Sequence, residues 1–191
     1  MTRRAALVAV FALMSAGRAS ARVYLTMQQA LDSVFPPPTT VERKTLYLDE
    51  AQARRVSEAA GAPVDIRVVP YYVGARDGRV AGYAYFDTHL VRTLPETILV
   101  LVGPAGDVAR IEILSFDEPE DYLPSQRWLR QFAGRMPASL GGREGIRALT
   151  GATLSSRAVT QAVRRILALH HMYVATPAAS PSPRPTPRPA P

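Results

Sequence analysis

Between positions 146 and 156 the chain reads Ile-Arg-Ala-Leu-Thr-Gly-Ala-Thr-Leu-Ser-Ser. Four hydroxyls, on Thr150, Thr153, Ser155 and Ser156, surround the small pair Gly151 and Ala152. Neither Gly nor Ala has much side chain to keep a bulky group off the backbone. The stretch leads into an apolar-periodic segment, so it is expected where a loop enters a helix. Free amide N–H groups and the helix dipole favour a phosphate at such a point. Leu149 and Leu154 are placed to pack the loop down, which leaves Thr153 as the accessible hydroxyl. The same pattern also makes an ordinary Ser/Thr cap after a Gly-containing turn, its commoner use.

Other chemistry-bearing residues are sparse. The chain has no cysteine, which excludes disulfides, thiolate catalysis and Cys-ligated iron–sulfur or haem centres. His170 and His171 are adjacent, face different directions on a helix and make a poor metal pair. His89, beside Thr88 and Arg92, reads as a lone structural histidine. No G-x-S-x-G, H-E-x-x-H, P-loop or dinucleotide fingerprint is present. A hydrolytic triad on Ser155 or Ser156 lacks a nearby His and carboxylate. No metal site is expected.

The two ends read as separate from the folded part. Arg3 and Arg4, the apolar run Ala5 to Ala16 and Ala19-Ser20-Ala21 have the form of an export signal cleaved before Arg22. The apolar run is about half of what spans a bilayer. From Thr176 to Pro191 only Pro, Ala, Ser, Thr and Arg occur, which predicts a disordered tail. The whole chain is formally +7, but the signal holds three arginines and the tail two, with no acid in either, leaving +2 between them. A core this near neutral, without an aromatic-basic motif, is not expected to bind nucleic acid.

The elements that must position the hydroxyl stretch follow from periodicity. Thr26 to Phe35 is helical, stopped by Pro36-Pro37-Pro38; Val41 to Leu48 alternates as a strand; Asp49 caps a helix over Glu50 to Ala60 that Gly61 ends. Strands follow at Asp65 to Val73 and Val80 to Asp87, joined by an Asp77-Gly78 hairpin turn. Glu96 to Val102 and Val108 to Phe116 form a second pair around Gly103 to Asp107. Ser125 to Phe132 is a short helix carrying Trp128, and the last helix runs from Ser155 to about Tyr173. The pattern predicts an α+β fold, an antiparallel sheet of about four to five strands covered by helices on one face. The expected organisation is signal 1–21, N-terminal helices and strand of the core 22–64, binding domain 65–175 and tail 176–191.

Thr150-Gly151-Ala152-Thr153-Leu154-Ser155-Ser156 resembles the S/T-G-A-T-x-S/T signature of the FMN-binding domain family. That family includes the periplasmic flavin subunits of Rnf-type complexes and of sodium-translocating NADH:quinone reductases. Phe116-Asp117-Glu118-Pro119 and Gln131-Phe132-Ala133-Gly134 resemble its acid-Pro loop and Q-F-x-G pattern, in the family's order, from about Val68 to Leu169. The resemblance implies FMN carried on Thr153 through a phosphoester, installed by a flavin transferase. It also implies a site built from Thr150, Gly151, Ala152, Leu154, Ser155 and Ser156, with Glu118 and Tyr122 beside the ring. A solvated turn residue and a half-buried aromatic are the plainer roles for those last two. Arg147 stands where the family's motif has an aspartate, reversing the charge, so non-covalent FMN and a flavin-free binding or adaptor module remain alternatives. The implied function is an exported or periplasmic electron carrier, associated with membrane or periplasmic redox proteins. A flavin reductase with its own substrate is a further alternative.

Overall fold

The computed structural model describes residues 22–141 and 145–175; the expected export signal and Pro-rich tail lie outside the described residues. In chain order the elements are β1 (Arg22–Val23), α1 (Met27–Val34), β2 (Thr40–Tyr47), α2 (Glu50–Ala60), β3 (Val68–Arg76), β4 (Arg79–Leu90), β5 (Pro95–Val102) and β6 (Val108–Phe116). Then come α3 (Gln126–Leu129), extended by a 3-10 turn over Arg130–Phe132, and α4 (Thr153–Leu169), which continues as a π-helical turn over His170–Val174.

Six strands form one sheet in the order β1-β6-β5-β4-β3-β2, with every neighbouring pair antiparallel. Five are long; the two-residue β1 adds a short sixth beyond the expected count. Asp77 and Gly78 take positive φ angles of 51° and 72°, the tight turn that Asp-Gly favours. A turn of two residues lets pairing continue to its edge, so β3 ends at Arg76 rather than Val73. β4 likewise extends past Asp87, because Thr88, His89 and Leu90 pair with Thr97, Glu96 and Pro95. The N-terminal segment shares this sheet, since β2 pairs with β3 from Thr40↔Ala75 to Tyr47↔Val68.

Helices cover both faces of the sheet, not one. On the first face, α2 and α4 bury Ala53, Val56, Val159, Val163, Ile166 and Leu167 against Tyr85, Ile98, Val100 and Ile111. Each fully buried Val, Leu or Ile there contributes about 1.5–3 kcal/mol. On the second face, α1 places Ala30, Leu31 and Phe35 over Ala84, Leu99 and Leu114. Phe35 lies against Gly74, where any Cβ would overlap its ring. α1 follows a capping box between Thr26 and Gln29, and α2 one between Asp49 and Gln52, with Gly61 in the left-handed conformation at its end. Among the described residues no helix is long and apolar enough to cross a membrane.

Candidate functional site

Thr153 is the first residue of α4, two positions earlier than the expected start at Ser155. The preceding loop explains why. Gly151 takes φ of 83°, a left-handed conformation that glycine adopts without a Cβ penalty, and Ala152 N–H donates to Leu149 O at 3.0 Å. That turn delivers Ala152 to the N-cap, and the first helical bond runs from Ser156 N–H to Ala152 O at 3.0 Å. Alanine has no group with which to cap, and among the described residues no side chain bonds the first-turn amides. The N–H groups of Thr153, Leu154 and Ser155 therefore stand at the positive end of a 17-residue helix free to meet an anion.

These amides border a cavity of about 180 Å³ lined by Val91, Arg92, Glu118, Tyr122 and Gly151 to Ser155. Two remote parts of the chain thus close on the α4 terminus: the turn between β4 and β5, and the acid-Pro loop after β6. Glu118 ties them together. Its Oε1 accepts from Thr93 N–H at 2.7 Å, Leu94 N–H at 2.9 Å and the Thr93 hydroxyl at 3.3 Å. The Thr93 and Leu94 amides, the first most strongly, hold its carboxyl below the usual carboxylate range. Tyr122 is half-buried at the end of a 3-10 turn, Glu120–Tyr122.

The four hydroxyls have separated into different roles. Thr153 is exposed at the mouth of the cavity. Ser155 is 1% exposed, lines the cavity, and its Oγ has no hydrogen-bond partner among the described residues. An orphaned buried hydroxyl costs about 1–3 kcal/mol, so one at a helix N-terminus fits a site made for a polar ligand group. Ser156 instead serves the loop, its Oγ donating to Thr153 O at 3.0 Å and accepting from Leu149 N–H at 3.3 Å. Thr150 is exposed and lies off the cavity wall. Leu149 packs on the core as expected, whereas Leu154 is 48% exposed and does not pack the loop down.

Trp128 anchors the other side of the loop. It is buried in the core, meets Phe132 edge-on at 5.3 Å, and its Nε1–H donates to Arg147 O at 2.6 Å. Arg147 N–H donates to Gln131 Oε1 at 3.1 Å. The backbone of Arg147 is therefore fixed, while its side chain is exposed.

Val91 and Arg92 on the cavity wall are not legible in the sequence, since nothing in a turn marks it as facing a site about sixty residues away. Nor is His89 solitary. In the fold His89 is clamped between Asp87 Oδ1 at 2.8 Å and Glu96 Oε2 at 3.2 Å, and Arg165 of α4 bonds both Asp87 oxygens. Burial opposes charge on His89, but its two carboxylate partners win and raise its pKa to about 9. Burial likewise opposes ionisation of Asp87, yet His89 and Arg165 lower its pKa, while burial raises that of the fully buried Glu96. The shared face of Asp87 and His89, two residues apart on a strand, was the available signal. One layer along, burial and the neighbouring His171 lower His170 to about 4. Burial holds the Tyr85 hydroxyl protonated, and it is hydrogen-bonded with His170 Nδ1 at 2.8 Å.

No curated protein matches the chain. The family model of the FMN-binding domain matches residues 94–168, a span running from Leu94 of the Glu118-bound turn through nearly all of α4. The matched span carries most of the cavity lining, from Glu118 to Ser155, and supports a flavin-binding protein: over these residues the chain is similar to the FMN-binding domain family.

Proposed function

We propose that this protein is an exported electron carrier whose FMN is joined through its phosphate to Thr153. The observation that carries this reading is the α4 terminus, where an exposed Thr153 hydroxyl, uncapped amides and the unpartnered Ser155 Oγ share one cavity. Attachment transfers FMN from FAD. Thr153 Oγ forms a bond to the FMN-proximal phosphorus, the pyrophosphate P–O bond breaks, AMP leaves, and the hydroxyl proton passes to a base. A flavin transferase is the partner for that step. The first-turn amides and the Ser155 hydroxyl then hold the phosphate, and Arg92 offsets its charge. Glu118 fixes the wall that Tyr122 and Val91 present to the ring.

When bound, the flavin supplies the redox chemistry. The cavity, about 180 Å³, is smaller than the ~300–1,000 Å³ of pockets that enclose a small ligand, so a flavin nucleotide extends beyond it. That suits electron exchange with membrane or periplasmic redox proteins better than enclosed turnover of a substrate. The test is to export the chain from a host supplying a flavin transferase, reduce it chemically, and follow flavin absorbance as oxidised partner proteins or small acceptors are added. A carrier reoxidises against a protein acceptor and shows no sustained turnover alone. A colourless protein would support a flavin-free adaptor, and steady turnover of a small substrate would make it a reductase.

A further inference from the structure

We propose that the arginine-lined cleft beside Trp128 is a docking site for a carboxylate-rich segment of a partner protein. This cleft, about 690 Å³, is separate from the flavin cavity and is lined by Ser125, Arg127, Trp128, Gln131, Arg135 and Arg147, among others. No carboxylate appears in its described lining. Elsewhere the chain pairs its arginines with acids: Arg54 with Glu50, Arg110 with Glu112, Arg165 with Asp87. Among the described residues around this cleft it does not. Arg127 and Arg147 are exposed and meet no acid among the described residues, as do the nearby exposed Arg130 and Arg157.

The arrangement favours an extended acidic chain over a single small anion. The guanidinium groups come from separate segments, α3, the turn after it and the loop before α4, and spread along an open surface. A site for one small anion instead converges several donors on one buried point. Guanidinium forks bind carboxylates in pairs of hydrogen bonds, and Trp128 and Leu149 give the cleft an apolar floor. Such single-sign clefts steer oppositely charged partners and set orientation.

The cleft also has a defined relation to the flavin threonine. A neighbouring cleft of about 450 Å³ shares Trp128 and Arg147 with it and reaches Thr153 and Arg157. The acid-Pro loop, whose Glu118 and Tyr122 line the flavin cavity with Thr153, also carries Asp117, Glu120 and Asp121 in sequence. A partner presenting acids to the arginine side is thereby oriented beside Thr153. Docking stands without the flavin; its use in electron transfer rests on the function proposed above.

The test uses the full mature chain without flavin, so that failure here is independent of attachment at Thr153. Calorimetry would measure binding of a ten-residue glutamate peptide, and of inorganic pyrophosphate, at about 0.02 M and about 0.5 M salt. The account expects peptide binding at low salt that is largely lost at high salt. It should weaken about fivefold in the double variant Arg127→Gln, Arg147→Gln and stay unchanged in Arg79→Gln on the distant β3–β4 hairpin. Trp128, the single tryptophan, provides a local emission signal for the same titration. Absence of peptide binding, binding unaffected by the double variant, or pyrophosphate binding as tightly as the peptide would each overturn the proposal.

Discussion

Ser155 and Ser156 are neighbours with the same side chain, and the fold gives them opposite tasks. Ser156 closes the loop with two hydrogen bonds, while Ser155 buries a hydroxyl with no partner. Composition alone does not separate them, because the difference arises from which side of α4 faces the Glu118 loop. Removing an unsatisfied buried hydroxyl relieves a desolvation cost. Ser155→Ala should therefore leave the flavin-free protein as stable as wild type, or more stable by up to about 1 kcal/mol, and weaken flavin binding by about 1 kcal/mol. Thermal melts of the apo-protein and flavin titration check both halves. A marked loss of apo stability would show that Oγ is bonded after all.

Among the elements, the sheet and α2 were legible because their signals are local: alternation, an Asp-Gly turn, a capping box closed by Gly61. What the sequence withheld was contact across elements. α1 looked like any amphipathic helix, and only the fold puts it on the second sheet face against Leu99 and Leu114. The β4–β5 turn carried no motif, yet its Thr93 and Leu94 amides hold Glu118 and thereby shape the cavity. The Gly-Ala-Thr loop was readable as the entry to the last helix, but not the start of α4, since Ala152 is no conventional N-cap. Gly151→Ala tests that loop. Its φ of 83° is unfavourable for an L-residue, but a Cβ there meets nothing within 4 Å. The expected cost is about 1–2 kcal/mol from backbone strain alone, with a larger fall in flavin occupancy as Thr153 is re-aimed. Chemical denaturation and flavin content measure the two effects; unchanged occupancy would mean that the turn does not set the threonine.

At the scale of the whole molecule, buried His170 and half-buried His89 make stability fall on both sides of neutrality. His170 is depressed to about 4, so between the ordinary histidine value of about 6.5 and pH 4 the unfolded chain gains a proton that the native one does not. Stability therefore drops as pH falls through that window, by on the order of 3 kcal/mol. His89 runs the other way. Its native pKa of about 9 lies above the unfolded value, so its contribution is full below about pH 6.5 and is lost as pH rises toward 9. Melting temperature across pH should peak between these windows, and His89→Gln should flatten the alkaline side while lowering the maximum, since Asp87 and Glu96 lose their shared partner. An unchanged alkaline slope in that variant would contradict the assignment. The central claim, that Thr153 carries the flavin, is tested most directly by intact mass and in-gel flavin fluorescence of denatured protein exported with a flavin transferase. The account predicts a fluorescent wild-type band with the added mass of one FMN, and neither signal in Thr153→Ala. A wild type of unmodified mass, or a Thr153→Ala variant that keeps the added mass, would contradict it.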